Sequence, residues 1–388
     1  MRVTHVITRL IIGGAQENTV ASVLGLQHRP GMEIALLAGP TTGPEGSLES
    51  AFQSCPHVLS IVPSLVRPVH PFNDLLALLR LTKIFRATRP DIVHTHSGKA
   101  GILGRWAAHR AGVPIIVHTI HGPSFGPFQG AAANAIFRGA ERFAAPFTTH
   151  YVSVADAMTR QYLAAGLGRP GQYTRIFSGF PLQPFLEAEN DPAWRARFGL
   201  APDDFVIGMI SRLFKLKGHD DLLDVAPDLV RQCPRAKFLL VGDGAWRGRL
   251  EKRARALGLE KRFVFAGLAA PAEVPRYVGI MDVLAHLSRR EGLPRALPQA
   301  LAAARPVVAY AGDGAGEVCI DNETGFLVPP GDRATLARRL LQLAGDPELR
   351  RRLATQGRRF VLPRFSVETM LDELHALYLK LSAKADGS

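Results

Sequence analysis

The stretch Ser288-Arg289-Arg290-Glu291-Gly292-Leu293-Pro294-Arg295-Ala296-Leu297-Pro298-Gln299-Ala300-Leu301-Ala302-Ala303-Ala304-Arg305-Pro306-Val307-Val308-Ala309-Tyr310-Ala311 reads as a turn, a helix and a strand. An apolar run, Val283-Leu284-Ala285-His286-Leu287, leads into it as a further strand. Pro294 stands where a proline is tolerated in a first helical turn, because that N–H has no partner anyway. Residues 296–303 read as the helix and 306–310 as the next strand. Glu291 thus falls on a strand-to-helix turn beside a helix N-terminus, whose unpaired N–H groups and partial positive charge suit a phosphate. Pro294 lacks an N–H, so Leu293, Arg295 and Ala296 are the expected donors. Taken alone, the turn equally fits an ordinary βα connection with a solvated acid.

Strand–helix alternation extends outward from this stretch. In the second half strands are expected at 205–210, 237–241, 263–266, 281–287, 306–310 and 324–328. The clearest helices between them are 218–232 and 246–257. In the first half strands are expected at 2–8, 33–38, 58–62, 91–96, 115–120 and 151–154. Helices are expected over 17–26, 72–87, 99–111 and 131–144, and the 72–87 helix places Leu75, Leu78, Leu79 and Thr82 on one face. Phe177-Ser178-Gly179-Phe180-Pro181-Leu182-Gln183-Pro184 is irregular and rich in proline and glycine, which marks a linker. The fold class is therefore α/β: two Rossmann-like, doubly wound parallel-sheet domains facing across a cleft, where open parallel sheets bind ligands at strand C-terminal ends. The expected bounds are 1–180 for the first domain and 181–365 for the second. An amphipathic closing segment, 366–388, is left open to pack back on the first.

The chain has 388 residues, 47% hydrophobic and 21% charged, ordinary globular composition for two cores. No apolar run approaches the roughly 18 residues of a membrane-spanning helix. Met1-Arg2-Val3-Thr4-His5-Val6-Ile7 reads directly as a strand, so no signal peptide is expected. Cys55, Cys233 and Cys319 are far apart and odd in number, which points to a reducing cytoplasm and away from disulfides or a cysteine zinc site. The formal charge is +13. Residues 1–180 hold 16 Lys+Arg against 8 Asp+Glu, and residues 181–388 hold 31 against 26. A basic balance fits nucleic acid, anionic lipid or phosphorylated substrates, and equally a merely arginine-rich surface.

Arg212 and Lys217, in Ser211-Arg212-Leu213-Phe214-Lys215-Leu216-Lys217-Gly218, flank a loop that enters a helix. Two cations beside a helix start suit a diphosphate, and also suit a solvated basic loop. His94 and His96 alternate along one strand and so share a face. A metal pair is conceivable there, but no third ligand is evident. Lys99, in Ser97-Gly98-Lys99-Ala100-Gly101, is a candidate acceptor contact or a solvated lysine at a helix start. Ser124-Phe125-Gly126-Pro127-Phe128 leads into 131–144, where Phe137 and Phe143 alternate with Arg138 and Arg142. That pattern suits either a helix covering the sheet or a surface touching anionic lipid.

These loops, in this order and over nearly the whole chain, resemble those of the retaining glycosyltransferases of family four, with the two-Rossmann GT-B fold. Gly13-Gly14-Ala15-Gln16 is similar to the family's glycine loop near the donor phosphates, and His121-Gly122 to its histidine near the donor sugar. Arg212 and Lys217 match its R-x4-K-G diphosphate clamp, and Glu291-Gly292-Leu293-Pro294 the start of its Glu-x7-Glu signature. Glu317-Val318 and Thr324-Gly325-Phe326-Leu327-Val328-Pro329-Pro330-Gly331-Asp332 also match. The second signature acid, which holds ribose hydroxyls in the family, is Gln299 here; an amide keeps an acceptor but loses the charge.

The resemblance implies His121, Glu291, Arg212 and Lys217 as catalytic residues. It implies Gly13, Gly14, Arg212, Lys217, Gly292 and Gln299 as donor-binding residues, to which the helix N-terminus adds Leu293, Arg295 and Ala296, with Lys99 the candidate on the acceptor side. It further implies a nucleoside-diphosphate sugar as donor, and front-face retention in which the leaving phosphate helps take the acceptor proton. No Asp-x-Asp motif occurs, so neither a metal nor another cofactor is expected. The expected acceptor is a polysaccharide, a lipid-linked sugar or a glycolipid, with the enzyme in the cytoplasm and contact with an anionic inner membrane face left open. Three alternatives remain at this level: a GT-B sugar-nucleotide 2-epimerase, a transferase impaired by Gln299, and a nucleic-acid binder. No recognisable nucleic-acid motif supports the last, so no nucleic-acid partner is expected.

Overall fold

The computed structural model describes residues 1–42, 46–96, 98–126 and 128–386; Ser97 and Pro127, in two of the turns quoted above, lie outside the described residues. The chain divides into two compact units, Met1–Phe180 with the segment from Ser366 on, and Pro181–Phe365.

The first unit carries strands β1 (Arg2–Ile7), β2 (Glu33–Ala38), β3 (Leu59–Ile61), β4 (Ile92–His96), β5 (Ile115–Ile120), β6 (His150–Ser153) and β7 (Tyr173–Arg175). They form one parallel sheet in the order β3-β2-β1-β4-β5-β6-β7. Its helices are α1 (Gly14–Leu26), α2 (Pro71–Thr88), α3 (Gly98–Ala111), α4 (Ala131–Ala144) and α5 (Asp156–Ala164). Helices cover both faces, so the central strands are buried throughout, as in other all-parallel sheets. One core joins Val3, Ile7, Val20, Val23 and Leu36. The opposite core joins Val6, Leu37, Leu78, Leu81, Phe85 and Val93. In α3, Gly101 lets the helix lie on the sheet, since a Cβ there would stand 2.5 Å from the His118 ring.

The second unit opens with two short helices, α6 (Gln183–Leu186) and α7 (Pro192–Arg197). Then follow β8 (Phe205–Ile210), α8 (His219–Gln232), β9 (Ala236–Val241), α9 (Arg247–Ala256), β10 (Phe263–Gly267), α10 (Val274–Gly279) and β11 (Val283–His286). The unit closes with α11 (Ala296–Ala302), β12 (Val307–Tyr310), β13 (Gly325–Val328), α12 (Arg333–Gly345) and α13 (Pro347–Val361). The sheet is parallel, in the order β10-β9-β8-β11-β12-β13. Asp332 and Asp346 cap α12 and α13, accepting from the Thr335 and Leu349 amides at 3.0 and 2.9 Å.

The last helix, α14 (Val367–Asp386), belongs to the first unit. It buries Met370, Leu371, Leu374, Leu377, Tyr378 and Leu381 in the core that also holds α1 and β1.

One expected packing face needs correction. In α2 the buried stripe is Ala77, Leu78, Leu81, Thr82 and Phe85. Leu75 and Leu79 point outward, 53% and 50% exposed. Leucines at i, i+3 and i+4 define two overlapping stripes, and Ala77, Leu81 and Phe85 extend only the one through Leu78. Strand β7 is absent from the expected set because its short Tyr-Thr-Arg sequence carries no apolar run.

Candidate active site

In a doubly wound sheet the strand order reverses at one point, and loops diverging there leave a crevice at the strand C-termini. In the second unit that point lies between β8 and β11. The loop after β8 carries Arg212 and Lys217, and the loop after β11 carries Glu291.

Backbone geometry knits the two loops together. Leu216 takes φ 72° and Gly218 φ 79°, turning the first loop sharply into α8. Only glycine fits at 218, because a Cβ would stand 2.2 Å from the Leu287 carbonyl oxygen. The Arg289 amide donates to the Leu216 carbonyl at 2.8 Å. The Glu291 amide donates to Asp313 Oδ2 at 2.7 Å, and the Gly314 amide to the Gly292 carbonyl at 3.0 Å, which adds the loop after β12. Behind them, Asp221 is buried at the start of α8 and holds Arg289 and Arg333 at 2.8 and 3.1 Å.

Lys217 Nζ donates to Glu291 Oε1 across this seam. Both side chains are mostly buried, with exposures of 17% and 25%. Burial alone would raise the Glu291 pKa, but the Lys217 ammonium, His286 and hydrogen bonds from Lys217 and Ser288 hold it below the ordinary carboxylate range. His286 Nε2 lies 3.9 Å from the same carboxylate oxygen. Burial pushes the His286 pKa down to about 4, with Glu291 opposing and Lys217 reinforcing, so the ring is neutral at pH 7. Its Nε2 has no hydrogen-bond partner among the described residues.

Arg212 is exposed, its guanidinium 5.3 Å from the Phe214 ring centroid, and it makes no ion pair among the described residues. Gly292, Leu293 and Ala296 are buried, and the Leu293 and Ala296 amides donate to no acceptor among the described residues. Arg295 takes helical backbone angles at the N-cap of α11. Gln299 is half-buried on α11, and its side chain makes no hydrogen bond among the described residues. Arg212, Lys217, Glu291, Gly292, Leu293, Arg295, Ala296 and Gln299 therefore all lie on the loops and helix that open from this switch point.

In the first unit the order reverses between β1 and β4. Gly13 is the N-cap of α1, and Gly14 its exposed first residue. His121 follows β5, with Nε2 3.0 Å from His96 Nδ1. The Lys99 ammonium is engaged elsewhere: it donates to Asp74 and to the Pro68 carbonyl, bracing α3 against the start of α2. The third histidine beside His94 and His96 is His5 from β1, with one ring nitrogen from each of the three within 4.8 Å of the other two.

Sequence reasoning missed His286, Asp313 and His5. His286 is the final residue of an apolar strand and Asp313 sits in a Gly-Asp-Gly turn. Both positions border a βα loop, which is the available signal. His5 is visible only once β1 and β4 are known to be neighbours.

Residues 190–360 match the family described as Glycosyl transferases group 1, and residues 13–178 match the Glycosyl transferase 4-like domain. A 2-deoxystreptamine glucosyltransferase of Streptomyces kanamyceticus is 31% identical over 70% of this chain and 72% of its own. An Escherichia coli UDP-Gal:alpha-D-GlcNAc-diphosphoundecaprenol alpha-1,3-galactosyltransferase is 28% identical over 82% and 83%. Among solved structures, Anabaena HepE in complex with UDP-glucose superposes with a TM-score of 0.82 at 23% identity, over 98% of this chain and all of that one. The fold is GT-B, two Rossmann-like domains in one chain. The chain belongs to the group 1 glycosyltransferases and is an enzyme of glycosyl transfer.

Proposed function

We propose that this glycosyltransferase moves a sugar, with retention and without a metal, from a nucleoside-diphosphate sugar to a polysaccharide, lipid-linked or glycolipid acceptor. The observation that carries this reading is the Lys217–Glu291 pair at the β8/β11 switch point. An ammonium has three donors, so Lys217 can hold Glu291 and still meet a phosphate oxygen. Arg212 supplies a second cation from the same loop, and the Leu293 and Ala296 amides supply neutral donors. Glu291, kept ionised by Lys217, accepts from sugar hydroxyls. Gln299 offers its amide oxygen to the ribose hydroxyls. As the glycosidic bond breaks, charge grows on the leaving diphosphate, and pre-placed cations and amides stabilise it most where water is excluded. The departing phosphate oxygen takes the acceptor proton, so no protein carboxylate need act as base. In the N-terminal unit Gly13 and Gly14 approach the donor phosphates and His121 hydrogen-bonds the transferred sugar. Lys99 is the acceptor-side contact: its ammonium donates to Asp74 and to the Pro68 carbonyl and keeps a third donor for the acceptor.

A thermal-shift screen of nucleoside diphosphates and their sugars tests this. Ligand at a hundredfold excess over its Kd adds about 2.7 kcal/mol to stability. One nucleotide family should raise the melting temperature clearly; no shift from any of them at millimolar concentration would sink the reading.

The first unit also supports peripheral contact with an anionic membrane at the cytoplasmic face. No described helix is long and apolar enough to cross a membrane. On α2 and the turn before it, Val69, Phe72, Leu75 and Leu79 are 78%, 65%, 53% and 50% exposed. On α4, Ile136, Phe137 and Phe143 are 69%, 42% and 46% exposed. Arg80, Lys83, Arg86, Arg138 and Arg142 lie on the same two helices. Their two acids, Asp74 and Glu141, are paired with Lys99 and Arg105. Apolar tips among unopposed cations suit an anionic interface. Co-sedimentation with anionic but not zwitterionic vesicles at low salt is expected; equal indifference to both would refute the contact.

A further inference from the structure

Beneath α14 the first unit holds a continuous chain of buried polar side chains. His121 Nε2 lies 3.0 Å from His96 Nδ1, and His96 Nε2 lies 2.9 Å from His5 Nδ1. His5 Nε2 lies 3.4 Å from the Tyr378 hydroxyl, which lies 2.5 Å from His94 Nδ1. His94 Nε2 then lies 2.6 Å from Thr119 Oγ1. The register builds this arrangement: His5 pairs His94 across β1 and β4, and His96 pairs Thr119 across β4 and β5. Both nitrogens of His5, His94 and His96 are thereby engaged.

The three inner rings are neutral. Burial pushes His5 to about 3 and His94 and His96 well below the usual histidine range, with neighbouring histidines adding to the last two. A neutral imidazole has one N–H and one lone pair. In an unbranched chain of such rings the hydrogen bonds run the same way unless a hydroxyl accepts from both sides, and Tyr378, 0% exposed with only His5 and His94 as partners among the described residues, would then bury its own proton without an acceptor. Only the ends choose between the two directions.

Thr119 makes the choice. It is 3% exposed, and among the described residues its hydroxyl has one partner, His94 Nε2. Were it to accept from His94, its own proton would be buried without an acceptor, an arrangement folded proteins avoid. If it donates, every buried proton from Thr119 through His96 has an acceptor within the chain. Thr119 donates to His94, His94 Nδ1 to Tyr378, Tyr378 to His5, His5 Nδ1 to His96, and His96 Nδ1 to His121 Nε2. His121 then carries its own proton on Nδ1.

We propose that Thr119, acting through this chain, is a positioning residue that fixes His121 as the Nδ1–H tautomer. His121 therefore meets its substrate as a hydrogen-bond donor, suited to a sugar or phosphate oxygen, and not as a general base. The substrate side of this inference rests on the function proposed above; the tautomer does not. The alternative use of three histidines is a metal site. Here every inner nitrogen is already engaged, and the cluster contains no carboxylate or thiolate to offset a buried dication.

The test is the two-bond proton–nitrogen NMR spectrum of the 15N-histidine-labelled full chain, with His121 identified by loss of its signals in His121→Gln. The wild type should show His121 protonated at Nδ1. Thr119→Ser should keep that state. Thr119→Val should abolish it and lower kcat up to about tenfold, the bias one hydrogen bond supplies, with little change in donor KM. Tyr378→Phe, which breaks the chain at its middle while keeping the ring, serves if Thr119→Val does not fold, and should release the tautomer likewise. An Nε2–H tautomer in the wild type, an unchanged tautomer in the folded variants, or stoichiometric zinc retained on the cluster would each overturn the proposal. If His121→Ala transfers sugar as fast as wild type, the assigned role of His121 fails while the tautomer result stands.

Discussion

Removing Lys217 separates the ion pair its ammonium makes with Glu291 from the phosphate contact proposed for it. In Lys217→Ala the Glu291 carboxylate, whose side chain is only 25% exposed, loses its counter-ion and keeps its burial. Breaking a fully buried pair costs about 3–5 kcal/mol. Partial exposure brings the expectation here to roughly 2 kcal/mol. For a domain of this size that lowers the melting temperature by about 4–8 °C. The pH dependence carries the sign. The folded pKa of Glu291 lies below its unfolded value, so its stabilising contribution is present above the unfolded pKa and lost as pH falls through the folded one. In the variant burial dominates and the folded pKa rises, so the penalty is full near pH 7 and vanishes once both proteins hold a neutral carboxyl. Differential melting of wild type and variant at pH 7 and in the acid range should show the gap closing as pH falls. Donor affinity should fall as well, by about 10- to 100-fold, the worth of a charge-assisted phosphate contact. Adding Glu291→Gln to Lys217→Ala should restore most of the stability and none of the affinity. A melting gap independent of pH, or affinity rescued together with stability, would refute the reasoning.

Other expectations follow from separate parts of the fold. Arg105 and Glu141 are 0% and 2% exposed and bridge α3 and α4 at 2.6 Å, so Arg105→Ala should cost about 3–5 kcal/mol in urea unfolding of the full chain. Gly218→Ala forces a side chain onto φ 79° and against the Leu287 carbonyl. It should cost at least about 1–3 kcal/mol and raise donor KM by displacing Lys217, read by melting and steady-state kinetics. The triple change Phe72→Ser, Leu75→Ser, Leu79→Ser should abolish binding to anionic vesicles, and because all three side chains are exposed, stability should move by about 0.5 kcal/mol or less per site.

Much of the scaffold was legible because buried parallel strands write themselves as apolar runs between turn residues. The 33–38 and 115–120 strands and the 131–144 helix end where their patterns end. The loop residues Arg212, Lys217 and Glu291 were legible too, since each borders a strand and a helix start. What stayed hidden depends on sheet order and on long-range return of the chain. Nothing in the sequence around His5 announces His94 and His96, because β1 meets β4 only through the doubly wound topology. Tyr378 is still more remote, placed by a helix that returns to the first unit after the whole second unit. The outward side of α2 was misread because its leucines support two stripes. Asp313, held at φ 45°, reveals its bond to the Glu291 amide only in three dimensions.

The most direct check on the diphosphate grip is a pair of dissociation constants, for a nucleoside and for its diphosphate, compared between wild type and the Arg212→Ala, Lys217→Ala double variant. The wild type should bind the diphosphate far more tightly than the nucleoside, and in the double variant the two constants should converge. An undiminished preference for the diphosphate after both cations are gone would place the pyrophosphate site elsewhere and contradict the assignment.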